Sequence, residues 1–381
     1  MPIGLYIHVP FCVAKCPYCD FYSLPSAGSR PADGERLDAY TAALLRSLEG
    51  WAARLPGVRA DTLYFGGGTP SLLGGERLAR ILGAARRLFG LDGAEITLEA
   101  NPADGLGETF RAFAAAGGNR VSLGMQSALP GELRSLGRRH MPADVEAAVR
   151  DARAAGIRNL SLDLMLGLER QGEAAVRASV GEAARLGAEH VSAYLLKIEE
   201  GTPYAARRDS LCLPDDDRTA DLYLLACEEL EARGYRQYEI SNFARPGCAS
   251  RHNLKYWNLD PYLGIGPSAH SYLGGRRLAY PRDLAGFLAG EGPEAERSPD
   301  DTTDGSIAEG GEEEYLLLRL RLAEGVDEAA FQKKFGRPIP AAYRKRAAAL
   351  PPHLVTVDRR GIRLTRQGFL LSNPLTVRIL G

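Results

Sequence analysis

The sequence predicts an α/β fold: a barrel or partial barrel of six strand–helix units, followed by a small helix-and-hairpin domain. Three observations carry this expectation. Short apolar runs alternate with stretches of helical periodicity over about the first 240 residues. Glycine, amide and charged residues close the runs one after another, and a dense acidic stretch then separates this region from a C-terminal segment of different pattern. Strand followed by helix, repeated, implies parallel strands with crossover helices. A chain of 381 residues has room for one such barrel and one smaller domain.

The strand-like runs lie at 5–9, 62–65, 95–98, 120–123, 160–165 and 190–196. After the first come Cys12, Cys16 and Cys19 in one loop, and between the first and second runs Leu37, Tyr40, Leu44, Leu48 and Trp51 step by three and four along one helical face. The second run ends in Gly66-Gly67-Gly68-Thr69-Pro70, the third in Glu99-Ala100-Asn101-Pro102 and the fourth in Gly124-Met125-Gln126-Ser127. Asp163 sits on the fifth, and the sixth passes through Tyr194 toward Lys197 and Glu199. These residues gather at the C-terminal ends of successive strands, the rim on which parallel barrels build their sites.

A helix-like stretch at 218–233 leads to Tyr238-Glu239-Ile240-Ser241-Asn242-Phe243, then to HNLKYW at 252–257 and the glycine-rich YLGIGPSAHSY at 262–272. Past the acidic stretch, 315–322 reads as a helix, and 354–357 with 361–364 as a strand pair turning at Arg359-Arg360-Gly361. The expected organisation is a barrel over 1–240, a barrel-completing segment over 241–290, a linker over 291–311 and a small domain over 312–381.

Composition bounds the setting. With 45% hydrophobic and 25% charged residues the chain reads as globular, which excludes disorder and collagen-like structure. No run approaches the roughly 20 apolar residues of a membrane helix, and the first strand begins too early for a signal peptide, so a cytoplasmic protein is expected. The total charge of -1 conceals a segment at 291–314 with ten acidic residues against Arg297 alone. The compensating positive charge is spread without a dense Lys/Arg run, so no nucleic-acid partner is expected.

In a reducing compartment six cysteines do not form a disulfide framework. Cys212, Cys227 and Cys248 are scattered and read as small apolar fillers, Cys248 being a weaker redox or ligand candidate because it precedes His252 by four residues. The other three, spaced Cys12-x3-Cys16-x2-Cys19, suit a cubic iron–sulfur cluster held at three irons with the fourth open. Zinc is the alternative, with His8 as fourth ligand.

The motifs YIHVPFCVAKCPYCDFYS, LYFGGGTPS, LEANP, VSLGMQS, LGRRH and LDLMLGL resemble, in order and spacing, the radical S-adenosylmethionine superfamily. Within it they resemble the oxygen-independent coproporphyrinogen III oxidases and their paralogues, the HemW-type heme chaperones. The resemblance implies a partial (βα)6 radical-SAM barrel with a winged-helix-like α+β domain. It implies a [4Fe-4S] cluster on Cys12, Cys16 and Cys19, and S-adenosyl-L-methionine lined by Tyr6, Tyr18, Gly67, Gly68, Thr69, Glu99, Gln126, Arg138 and Asp163. It also brings an electron donor into view. Each residue has a plainer reading beside this one: the glycines as a tight turn, Glu99 and Asp163 as helix caps, Arg138 as part of a solvated face.

Three features divide the two branches. The oxidase pattern has a further cysteine where this chain has Phe21, and an N-terminal extension where this chain opens on its first strand. HNLKYW matches the HNxxYW heme-binding signature of the chaperone branch, which implies heme at His252, Tyr256 and Trp257 and a heme-accepting protein. A neutral imidazole is a competent axial ligand, and the two aromatics offer surface to a porphyrin; a loop histidine beside packed aromatics is the plainer reading. His270 ranks below His252. Gly167-Leu168-Glu169 departs from the family's Gly-Leu-Pro, which leaves that loop's path open, and a second S-adenosylmethionine site belongs to the oxidase pattern.

Overall fold

Six parallel strands follow one another across a single sheet: β1 (Ile3–Val9), β2 (Ala60–Gly67), β3 (Glu95–Ala100), β4 (Arg120–Gln126), β5 (Asn159–Leu166) and β6 (His190–Leu195). Each coincides with one of the expected runs. The computed structural model describes residues 1–25, 31–102, 105–295 and 310–381. The central part of the expected linker, 296–309, therefore lies outside the described residues.

The sheet continues beyond these six. At the β6 edge lie two short antiparallel strands, β7 (Arg236–Gln237) and β8 (Asn242–Ala244). On the other side of β1 runs β9 (Tyr262–Ile265), parallel to it, followed by antiparallel β10 (His270–Leu273), β11 (Arg276–Ala279) and β12 (Glu294–Ala295). Among the described residues the result is a sheet of twelve strands, open rather than closed. The glycine-rich segment thus supplies a seventh parallel strand, which periodicity could not announce over four residues.

Parallel strands covered on both faces usually read as continuous apolar runs. Here they alternate. Leu5, Ile7, Leu63, Phe65, Ile96, Leu98, Val121, Leu123, Leu160, Leu162 and Val191 face the helices and form the main core with Leu44, Leu48, Leu78, Phe110, Val145 and Leu222. Register places Tyr6 beside Tyr64, Glu99 beside Ser122, Arg120 beside Asn159, Ser161 beside His190, and Asp163 beside Ser192. These polar residues share the inner face, so the sheet curls around a hydrophilic lumen instead of the branched apolar layers that fill an ordinary barrel.

The C-terminal part has helices Glu312–Arg319, Glu328–Phe335, Ala341–Ala348, Arg366–Leu370 and Ser372–Leu380 around a three-stranded sheet. Its hairpin pairs Val355–Asp358 with Gly361–Leu364, as expected, and Val326–Asp327 adds the third strand. Its apolar core incorporates Leu259, Tyr262 and Tyr272 from the preceding segment. Backbone bonds from Ile240 N–H to the Arg321 carbonyl and from Ala323 N–H to the Tyr238 carbonyl fasten it beside the lumen. Among the described residues no helix is long and apolar enough to cross a membrane.

Candidate functional site

At the C-terminal rim of the strands a cavity of about 340 Å³ is lined by all three clustered cysteines and by Tyr18, Gly67, Gly68, Thr69, Glu99, Gln126, Arg138 and Asp163. Phe11–Cys12 pairs with Leu24–Pro25, closing the cysteine loop at its base. Cys19 N–H donates to the Cys16 carbonyl, making the turn that brings the second and third cysteines round. The Thr69 hydroxyl donates to Cys12 Sγ at 3.5 Å, and Arg138 Nη1 to Cys16 Sγ at 3.6 Å. Both thiols therefore already meet donors suited to a thiolate.

The glycine turn packs directly against this loop. A Cβ on Gly68 would stand 2.5 Å from the Phe11 carbonyl oxygen, and one on Gly67, whose φ is +106°, 2.7 Å from the His8 ring. Gly68→Ala is expected to lower stability by about 1–3 kcal/mol, because backbone rather than a flexible side chain obstructs it. Thermal unfolding beside Gly74→Ala, which meets no such atom, separates crowding from the positive-φ penalty the latter alone carries.

Gln126 reaches the cavity through a local distortion. The β4–β5 register shifts between Leu123 and Gln126, and Gln126 adopts φ +65°, a left-handed backbone rarely taken by a non-glycine residue. Such strain persists where surrounding structure holds it, commonly at functional sites. Arg138 donates through Nη2 to the Gly124 carbonyl at 3.0 Å, while its buried Nε has no partner. An orphaned guanidinium donor facing a cavity suits the carboxylate of a ligand.

The two carboxyls are both buried in polar settings. Glu99 accepts from the Tyr64 hydroxyl at 2.8 Å, and burial pushes its pKa up to about 7, with Asp163 adding to the rise. Asp163 accepts from the Ser122 hydroxyl at 3.1 Å and is likewise raised by burial. Tyr18 packs edge-on against Tyr204 and beside Met165 and Leu136. At Gly167-Leu168-Glu169 the loop is held by Gln171, whose side-chain oxygen accepts from Gly167 N–H at 2.8 Å, and Glu169 accepts from Ser135.

His8, the fourth ligand of the zinc alternative, is not among the residues lining the cavity that holds the three cysteines. Its Nε2 donates to the Tyr22 carbonyl at 2.9 Å, so Nδ1 is the acceptor for the Tyr6 hydroxyl at 3.1 Å and no ring nitrogen is spare. Among the described residues no three His, Cys, Asp or Glu side chains gather around a single ion's position. A cubane makes a different demand, since its three thiolates grip three different irons.

Tyr6 is placed apart from the other expected cofactor residues. It lines a second cavity of about 400 Å³, with Tyr64, Glu239, Asn242, His252, Tyr256 and Trp257. The two cavities share Glu99 and Tyr194 as a common wall. His252 lies on the helix Arg251–Trp257, not in a loop, and is 1% exposed. Its Nδ1 lies 2.7 Å from Thr62 Oγ1 and its Nε2 2.8 Å from the Tyr256 hydroxyl, with the ring stacked on Tyr64. Burial holds its pKa down near 3. Gly4 makes room for the ring, since a Cβ there would come within 3.2 Å of it. His270 is exposed and lines neither cavity.

Of the scattered cysteines only Cys227 is buried as a filler. Cys212 is exposed, beside Arg170, and Cys248 is half-buried, which corrects the expectation for these two. Tyr64 and Ser122 line the cavities without having been singled out, because each sits inside a run whose neighbours are apolar. The signal was the period-two alternation itself.

The Radical SAM superfamily pattern matches residues 6–182, and the HemN C-terminal domain pattern matches 313–371. A Mycobacterium tuberculosis protein named heme chaperone HemW is 40% identical over 387 residues, spanning 100% of this chain and 95% of its own length. The chain belongs to the HemW-type radical SAM family. Family members of the same name in Escherichia coli and Bacillus subtilis are 38% and 34% identical, covering 87% and 99% of this chain and 85% and 98% of their own. The coproporphyrinogen III oxidase HemN of E. coli shares the fold, with a TM-score of 0.81 at 23% identity over 99% of this chain and 90% of its own. Membership implies a [4Fe-4S] cluster and S-adenosylmethionine as the family's cofactors.

Proposed function

We propose that this protein is a cytoplasmic heme chaperone, which binds heme and passes it to an acceptor protein. In this reading Cys12, Cys16 and Cys19 hold a [4Fe-4S] cluster, and S-adenosylmethionine occupies the rim cavity. Arg138 takes the cofactor's carboxylate. Glu99 and Asp163 accept from its ammonium or ribose hydroxyls, Gly67 and Gly68 let the backbone come close, and Gln126 and Tyr18 supply polar and aromatic walls. When bound, the cluster would supply reducing chemistry to the sulfonium, and the chain's part would be to position that group and keep water out.

The observation that carries the heme assignment is the position of HNLKYW. His252, Tyr256 and Trp257 form one side of a cavity that shares Glu99 and Tyr194 as a wall with the cofactor cavity. An imidazole held neutral by burial is in the protonation state that ligates iron. Phe21, 67% exposed, stands where the oxidase pattern has its additional cysteine. The names of the relatives agree with this reading.

Two assays on the anaerobically reconstituted protein test it side by side. Heme titration is expected to give a saturable, stoichiometric Soret band, and incubation with coproporphyrinogen III, S-adenosylmethionine and a reductant to leave the porphyrinogen undecarboxylated. Decarboxylation without saturable heme binding would replace the chaperone with an oxidase.

A further inference from the structure

The cavity that carries HNLKYW has walls of three kinds. Tyr6, Tyr64, Tyr256 and Trp257 give it aromatic faces, and Glu99 and Glu239 give it carboxyls. Both carboxyls are committed within the protein, Glu99 to the Tyr64 hydroxyl at 2.8 Å and Glu239 to Ser241 N–H at 3.1 Å. The third kind is a cation: among the described residues that line the cavity, Arg321 is the only lysine or arginine. It belongs to the C-terminal part, two residues past the helix Glu312–Arg319, whereas every other lining residue lies at or before Trp257.

Arg321 is held against this wall at both ends. Its carbonyl accepts from Ile240 N–H at 2.9 Å, and the next residue, Leu322, bridges to Glu239, so the backbone is fixed beside two lining residues. Its guanidinium carbon lies 5.8 Å from the centre of the Trp257 ring, and Nη2 donates to Asn373 Oδ1 at 3.1 Å. Among the described residues it forms no salt bridge. An arginine oriented by an aromatic face and an amide, with no carboxylate of the protein on its fork, keeps that fork for a ligand's carboxylate.

Its distance from His252 is also apt. Trp257 follows His252 by five residues on one helix, about 7–8 Å along the axis at 1.5 Å per residue. That is the scale of the separation between a heme iron and its propionate carboxylates. A porphyrin ligated at His252 and lying along the helix brings its acidic edge to Trp257 and the arginine beyond it.

We propose that Arg321 is the propionate-binding residue of the heme cavity: it pairs with a propionate carboxylate, turns that edge of the porphyrin toward the C-terminal domain, and selects for porphyrins with free carboxylates. The inference rests on the placement of heme at His252.

The test compares Soret titrations of the anaerobically reconstituted full-length protein with heme and with heme dimethyl ester, whose propionates carry no charge. Wild type is expected to bind heme about tenfold more tightly than the diester. Arg321→Met keeps an unbranched stem against Trp257 and removes the charge, so heme affinity falls about tenfold, to that of the diester, while diester affinity stays where it was. Arg321→Lys, a point charge without the fork, falls between the two. Wild type binding both ligands equally would overturn the proposal. So would Arg321→Met weakening both equally, which would leave Arg321 as packing for Trp257. An undiminished Soret band in His252→Ala would instead overturn the placement of heme beneath it.

Discussion

Cys16→Ala is expected to abolish the broad visible absorbance that reconstitution with iron and sulfide gives the wild-type chain. The loss should be complete rather than partial. Cys16 is one of three thiols on a single loop, and a cubane bound at three irons has no protein ligand in reserve. Its Sγ accepts from Arg138 Nη1, so the alanine also strips the arginine of a partner and leaves a buried guanidinium with one fewer contact. Bound S-adenosylmethionine should therefore disappear together with the iron. Cys227→Ala is the control: it removes a buried thiol far from the loop, costs about 1 kcal/mol of packing, and leaves the absorbance intact. Iron and sulfide analysis of both variants checks the result. A colourless wild-type protein carrying stoichiometric zinc would defeat it.

The rim was legible in the sequence because its chemistry sits in turns, where glycine, asparagine, glutamine and cysteine stand out against apolar strands. Eleven of the twelve residues assigned to cluster and cofactor line one cavity. The exception, Tyr6, is instructive. It lies mid-strand on β1, two residues before His8 on the same face, and its hydroxyl is used by that histidine below the rim. Strand ends could be read from residue type; depth along a strand could not. Arg120 escaped notice for the same reason, since it opens an otherwise ordinary run, and only the register with Thr97 and Asn159 shows that it points inward. The seventh parallel strand was hidden by its brevity and its glycines. Its partner β1 lies more than 250 residues upstream, a pairing that local pattern cannot express.

Tyr256→Phe is expected to strengthen heme binding, whereas His252→Ala removes it. In the folded chain the imidazole is satisfied on both sides, by Thr62 at Nδ1 and by Tyr256 at Nε2. Iron can take Nε2 only if the tyrosine hydroxyl gives it up. A net hydrogen bond is worth about 0.5–1.5 kcal/mol, so removing the competitor should tighten binding by roughly two- to tenfold. The phenylalanine keeps the edge-on packing against Tyr262 and the fold with it. His252→Ala acts differently: it orphans the Thr62 and Tyr256 hydroxyls and opens a cavity between stacked rings, so about 2–4 kcal/mol of stability should go with the Soret band. The pH dependence separates this ligand from an exposed one. Burial holds the His252 pKa near 3, so the imidazole stays neutral and binding should persist from pH 8 to 5, where an exposed histidine would protonate and release iron. Loss of heme on Tyr256→Phe as severe as on His252→Ala would mean that the phenol, rather than the imidazole, meets the iron, because only the hydroxyl distinguishes that variant from wild type.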